Sequence, residues 1–421
     1  MKKLVFLFLV LSHVSTAQQV DTVNIFTCLE AFQSNCPKAG EEPLIDQKTR
    51  LKINNLKAQW YPDLDFNVQA SYQSDIPKID VDIPIDAEFP IPSKDQYKAT
   101  MDVSQLVYDG GVVSSAEDLE SMKGKVERQS VAVELYAIKE QVMEVYFGIL
   151  LMHKQARILQ SALKELDTKI QAMRSAVANG TMLPTDLKKL QAERLDMESN
   201  IDNLHTQVQT SHAVLNELTG LETDSSTWLT LPEISMDEDI AYNRPENKMF
   251  SLQKEQLHFR QDLLRAERKP KIQAFGQIGY GKPGLNMLND EFDTFYLVGA
   301  RLSWDIWDWK QNNRKHQMAE VQKQIVDVKT DAFNEMLGVK LEQTEGDISK
   351  LEHTLERDKD IIALRQDIIK SSRSKLDHGV ITSADYISDL NQLTKAKIKH
   401  ERHKIELLKA RLNQLYIIGK L

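Results

Sequence analysis

Two carboxylates stand in the most suggestive setting in the chain. Asp186 and Asp385 each lie six residues beyond a glycine, Gly180 and Gly379, that ends a long apolar-patterned stretch. A carboxylate there can hold a cation, or it can cap a helix. Thr382-x-x-Asp385 reads as a capping box, and Asp186 is the third residue of a helix opened by Pro184. Signals of catalysis are poor by comparison. Gly276-x-x-Gly279-x-Gly281 sits inside an alternating stretch and opens no helix, which argues against a phosphate loop. His400-x-x-His403 lacks the spacing and the acid of a zinc-hydrolase helix, so solvated histidines are the better reading. Cys28 and Cys36 are the only cysteines. Eight residues span roughly 12 Å of straight helix, so the two could form a disulfide only if the chain breaks before Cys36-Pro37. No catalytic, cofactor or metal-binding residue is expected.

The elements that carry these residues are legible from periodicity. From Leu135 to Val177, apolar or small residues recur at alternating spacings of three and four: Leu135, Ile138, Val142, Val145, Ile149, Met152, and so on to Met173 and Val177. This is the a/d stripe of a helix laid along another helix. The stripe stops at Asn179-Gly180 and resumes after Pro184 through Leu187, Leu190, Met197, Ile201, Leu204, Val208, Leu215 and Leu218. An antiparallel helical hairpin follows, with its turn at 180–186.

Residues 1–17 read as a secretory signal peptide: Lys2 and Lys3, then apolar Leu4 to Leu11, then Ser15-Thr16-Ala17. Losing Lys2 and Lys3 with it takes the net charge from −9 to −11. Such an acidic chain, without a basic cluster, is a poor nucleic-acid binder. No other stretch is apolar enough for a spanning helix.

The pattern switches to a period of two after Pro62. Leu64, Phe66, Val68, Ala70 and Tyr72 share one side of a strand over about 63–73, with polar residues between them. Ile76 to Pro92 holds four prolines and reads as a loop. A second strand follows at about 97–107, and Asp109-Gly110-Gly111 precedes the helical hairpin at about 112–218. The second half repeats the plan. Strands are expected at about 271–280 and 295–307, the latter with Tyr296, Val298, Ala300, Leu302, Trp304 and Ile306 on one face. A hairpin follows at about 312–418, with its tip at 379–385. Pro62 maps onto Pro270 at an offset of 208; Asp109, Gly180 and Asp186 map onto Asp308, Gly379 and Asp385 at 199. These spacings indicate an internal duplication, residues 18–220 and 243–421, joined by an acidic connector at 221–242.

The strands have the length of a tilted transmembrane strand (about 9–11 residues). Four strands cannot close a barrel, and an open edge in lipid leaves backbone groups unpaired at several kcal/mol each. The expected fold class is therefore an α+β membrane protein that oligomerises.

Ala58-x-x-x-Pro62 with Ala266-x-x-x-Pro270, Tyr108-Asp109-Gly110-Gly111 with Trp307-Asp308, and Gly180-x5-Asp186 with Gly379-x5-Asp385 occur in one order at equal spacing. In this combination the chain resembles the TolC-type outer-membrane efflux proteins over essentially its whole mature length. The resemblance implies a homotrimer: a twelve-stranded β-barrel in outer-membrane lipid, four strands per chain, continuous with a long coiled-coil tunnel in the periplasm. Its tips would meet a periplasmic adaptor and an inner-membrane transporter, making the chain the exit duct of a tripartite efflux or type I secretion system. The cargo, whether drug, metal ion or polypeptide, is not written in these motifs.

On that resemblance, Asp186 and Asp385 line the periplasmic entrance, with Ser388 where some members carry a second acid. Leu376 and Ile381 replace the polar residues of a hydrogen-bonded gate. The adaptor would dock at the tips: Gly180, Thr181, Met182 and Leu183, with Gly379, Val380, Ile381 and Thr382. Exposed apolar residues at a tip favour such a role. Phe66, Val68, Val298, Leu302 and Trp304 would face lipid, with Tyr97, Tyr280, Tyr296, Trp307 and Trp309 near strand ends as an interface belt. The rivals are a periplasmic coiled-coil adaptor and a scaffold without a pore. Two equal hairpins and four strands oppose the first, and apolar strand faces oppose the second.

Overall fold

A computed structural model describes residues 22–75, 93–234, 242–287 and 289–421. The signal segment, the proline-rich loop 76–92 and part of the connector lie outside these residues. In chain order the elements are β1 (Thr22–Val23), α1 (Ile25–Asn35), α2 (Glu41–Ala58), β2 (Asp63–Tyr72), β3 (Asp95–Tyr108), α3 (Val112–Ala178) and α4 (Pro184–Thr219). Then come β4 (Trp228–Leu229), α5 (Pro245–Ala266), β5 (Lys271–Lys282), β6 (Asp293–Ser303), α6 (Gln311–Asp377) and α7 (Ser383–Ile418). The helices α3 and α6 are 67 residues each, and α4 and α7 are 36 each. No helix among the described residues is long and apolar enough to cross a membrane.

The chain divides into two compact units that each draw on both halves of the sequence. The divisions expected from the spacing run along the chain, whereas compactness follows which ends of the long helices pack together.

One unit comprises 40–133 and 245–334. Its four strands form one antiparallel sheet in the order β2-β3-β5-β6. Each pair keeps one register throughout, apart from an irregularity between Leu106 and Tyr108 on β3. In the same unit α2 lies along the start of α3 through Lys52–Glu120 at 2.6 Å and Arg128–Asp46 at 3.3 Å. The end of α5 meets α6, where the Asn312 side chain donates to Leu264 O at 2.8 Å. Asp109 starts α3 by accepting from the backbone N–H groups of Gly111 (2.7 Å) and Val113 (2.6 Å). Asp308 does the same for α6, accepting from Asn312 N at 2.8 Å. Both satisfy donors that a helix start leaves unpaired.

The other unit comprises 1–39, 134–244 and 335–421. Near the turns, Leu166, Ile170, Met173, Leu190 and Met197 pack with Ile369, Leu376, Tyr386 and Leu390 in one core from all four helices. Further along, the buried surface of α3 is wider than the a/d stripe, since Met143, Tyr146, Phe147 and Leu150 are buried as well. Tyr146 shows why: its hydroxyl reaches Val23 O at 3.0 Å and Thr230 O at 2.7 Å, on the parallel β1–β4 pair.

Several expectations are corrected. The stretch 34–46, rich in Pro, Gly and charge, is the end of α1, a 3-10 turn (Pro37–Gly40) and the start of α2. Cys28 and Cys36 are free thiols. Cys28 lies inside α1 and Cys36 is its C-cap, with its N–H bonded to Phe32 O. The helix therefore continues to the second cysteine and holds the pair roughly 12 Å apart. Burial pushes the Cys28 thiol up to about 12, so it is an inert core residue. The last strand ends at Ser303. Trp304 lies beyond it, donating its indole N–H to Arg268 O at 3.0 Å.

Candidate functional site

The sheet has one apolar face across all four strands, and its other face is polar on β2 and β3 and mixed on β5 and β6, where Phe275, Phe295 and Leu297 stand. In an antiparallel pair, directly opposed residues share a face. One cross-strand row is Phe66, Met101, Ile278 and Tyr296; its neighbour is Leu64, Val103, Gly276 and Val298. This apolar face is bare: Phe66, Val68, Val298 and Leu302 are 65–76% exposed. The opposite face carries Asp65, Asp102 and Gln277 in one row and Asn67, Thr100 and Gly279 in the next. The Asp102 carboxylate accepts from Asn67 Nδ2 (2.9 Å) and Thr100 Oγ1 (3.0 Å), so the polar face is internally bonded.

Glycines on the polar face are covered by rings from the adjoining strand. A side chain on Gly279 would place its Cβ 2.3 Å from the Phe295 ring. Lys98 Nζ lies 5.1 Å above that ring. Among the described residues the two outer strands bond on one side only: β2 to β3 and β6 to β5. The chain thus presents two open sheet edges flanking an exposed apolar face. In water such edges invite aggregation, and in lipid they need partners.

The helical turns form the second candidate region. Gly180 (φ +68°) and Gly379 (φ +69°) adopt the left-handed conformation that ends a helix. At each turn the glycine N–H bonds three residues back, to Val177 O or Leu376 O. The next N–H reaches five back, to Ala176 O or Lys375 O. The following helices start differently. Thr382 and Asp385 form a complete reciprocal capping box, while Leu183 precedes Pro184 without a side-chain cap. The Thr382 hydroxyl and backbone hold the Asp385 carboxyl below the usual carboxylate range, and Lys189 adds to the effect.

Asp385 and Ser388 are exposed, and Asp186 is partly so. Of the four apolar tip residues, Leu183 and Val380 are exposed. Met182 and Ile381, expected to be exposed, instead pack against the core, because the chain reversing after each glycine lays the second residue over the core's end.

Polar side chains just short of the turns connect the helices, and the sequence pattern did not reveal them. Lys169 meets Asp377 at 2.7 Å, Arg373 pairs with Glu165, and the Tyr386 hydroxyl donates to Glu165 at 3.1 Å. Asn391 donates to Glu193 at 2.9 Å. Lys169 and Glu165 lie beside the apolar stripe, which marks a seam without naming its partners.

Residues 47–221 match the family model described as outer membrane efflux protein. No curated protein matches the chain by sequence. Among solved structures, CusC, described in terms of folding and transmembrane channel formation, superposes with a TM-score of 0.71 at 13% identity; the match covers 94% of this chain and 91% of that one. The CmeC outer membrane channel of Campylobacter jejuni gives 0.68 at 12%, covering 95% and 86%. The open-state MtrE outer membrane channel of Neisseria gonorrhoeae gives 0.64 at 13%, covering 94% and 88%. At these identities the likeness is one of fold. The chain shares that fold, mostly helical with a four-stranded sheet.

Proposed function

We propose that three copies of this chain assemble into an outer-membrane duct, the passive exit of a tripartite efflux or type I secretion system. The observation that carries this reading is the open amphipathic sheet: two free edges, one bare apolar face and one bonded polar face. Joining β6 of one copy to β2 of the next satisfies both edges and closes twelve strands around a polar lumen, with the apolar face toward lipid. The strands contain 10, 14, 12 and 11 residues, long enough to cross when tilted.

In this reading the two halves are copies of one unit, which accounts for the paired helices of 67 and 36 residues. Asp186, Asp385 and Ser388 line the periplasmic entrance, and carboxylates from three chains favour cations there. Leu183 and Val380 are the apolar points of tips that dock a periplasmic adaptor, while Gly180 and Gly379 shape the turns. Docking favours an open tip, and an inner-membrane transporter supplies the cargo. Phe66, Val68, Val298 and Leu302 face outer-membrane lipid.

Membrane fractionation with native mass measurement tests the assembly. A trimer extracted from outer membranes by detergent supports it. A monomer in the soluble fraction contradicts it and favours the scaffold.

A further inference from the structure

We infer that a cavity of about 300 Å³ between α3, α4 and the β4 loop is a binding site for a small anionic sugar. It lies wholly within the helical unit, near the low end of ligand-pocket sizes. Its wall brings together Lys154 and Arg157 of α3, His153 of the same helix, His205 of α4, and Trp228. Among the described residues no carboxylate lines that wall. Lys154 pairs distantly with Glu401, at 3.8 Å. Among the described residues Arg157 pairs with no acid; it lies 5.1 Å above the Trp228 ring. An exposed guanidinium without a counter-ion, beside a second cation and two imidazoles, is a forked donor set for a carboxylate or phosphate.

The His153 ring in that wall has its Nε2 buried from solvent, with no hydrogen-bond partner among the described residues. Buried polar atoms rarely go unbonded, and each needs an account. Burial, together with His205 and Arg157, holds this imidazole below its ordinary value, as expected where positive groups crowd without an anion.

The opposite wall is fixed in place. Asp224 accepts from Ser226 N (2.8 Å), Ser226 Oγ (2.6 Å) and Thr227 N (3.1 Å), which pins the loop. Trp228 is half exposed and offers a flat apolar wall, and among the described residues the Ser225 hydroxyl and Gln160 amide make no side-chain bond. An aromatic plate, neutral hydroxyl and amide groups, and a forked cation together suit a pyranose ring bearing one acidic group. The site is complete in one chain and does not depend on the channel reading.

The test is equilibrium dialysis of the full chain in detergent against labelled D-glucuronate and, separately, D-glucose. Saturable glucuronate binding, weakened about tenfold or more in Arg157→Gln (about 1.4 kcal/mol), with glucose at least about tenfold weaker, is the expected result. Trp228→Leu should also weaken glucuronate binding. Both positions are exposed, and an unchanged melting temperature confirms that each variant is folded. No saturation with the native chain, equal binding by Arg157→Gln, or glucose binding as tightly as glucuronate overturns the assignment.

Discussion

Lys169 Nζ lies 2.7 Å from Asp377 Oδ1 and 5.7 Å above the Tyr386 ring, with the lysine almost fully buried and the aspartate half exposed. The two residues are 208 apart in sequence and tie α3 to α6 just before the turns. A buried ammonium is tolerable only while its partner remains. Asp377→Asn should therefore cost about 1–3 kcal/mol, and Lys169→Met should cost less, because it removes the buried charge and leaves unpaired only the half-exposed carboxylate. Thermal unfolding of both variants checks the order. Equal losses, or a larger loss for Lys169→Met, would mean that the pair is not what holds this seam.

The two helix starts should respond unequally. Thr382→Ala breaks a complete capping box and should cost about 1 kcal/mol. At the other start Leu183 offers no side chain to remove, so Leu183→Ala should leave stability within about 0.5 kcal/mol. Asp385 is held below its ordinary pKa by Thr382. Its contribution is full above the unfolded carboxylate value and is lost as pH falls through the lowered folded value. Acid titration of Asp385→Asn against the native chain should show the difference vanishing at the acidic end. A difference that persists at that end would assign the residue another role.

The sheet makes a sharper demand. Val68→Arg and Val298→Arg place charge on the bare face and should each block membrane assembly, through a midplane cost of about 2–4 kcal/mol. Asn67→Ser, on the polar face, should assemble normally. Gly279→Val drives a side chain into the Phe295 ring and should disrupt pairing of β5 with β6. Trimer yield in the membrane fraction reads all four. Normal yield from Val68→Arg would refute the lipid-facing assignment.

The histidines of the helical unit predict a pH dependence. Burial lowers the imidazole pKa of His153 and His212 below the ordinary 6.5; His205 and Arg157 add to this at His153, and Asp224 partly offsets it at His212. Folding thus favours their neutral forms. Their contribution is full above about pH 6.5 and is lost as pH falls through the lowered folded values. Melting temperature should drop on acidification below that point, and the drop should be smaller in His153→Gln. An identical pH profile would exclude His153 as a source.

Much of this molecule was legible because its determinants are local or periodic. The strict three-four stripe of Leu135 to Val177 specified a long packed helix, and the glycines at 180 and 379 marked its turns. Alternation from Leu64 to Tyr72 specified a strand with one apolar face. Reading failed where a pattern was short or a contact distant. The helix α1 is announced only by Asn24, whose side chain caps Thr27 N at 2.8 Å, and by Ile25, Leu29 and Phe32. The proline and glycine after it masked the start of α2. Trp304 and Ile306 continue the alternation of β6, yet the strand stops at Ser303, and Trp309 and Lys310 take positive φ before α6. The partners of Lys169 and Glu165 lie more than 200 residues away, and no local spacing encodes them.

The central claim is a closed oligomeric pore built from open four-stranded sheets. Single-channel recording of the purified chain in a planar bilayer, with its oligomeric mass in detergent, tests it most directly. The account predicts trimers giving a small, cation-leaning conductance that loses its sensitivity to cation block in the double variant Asp186→Ala, Asp385→Ala. A soluble monomer without conductance would contradict it.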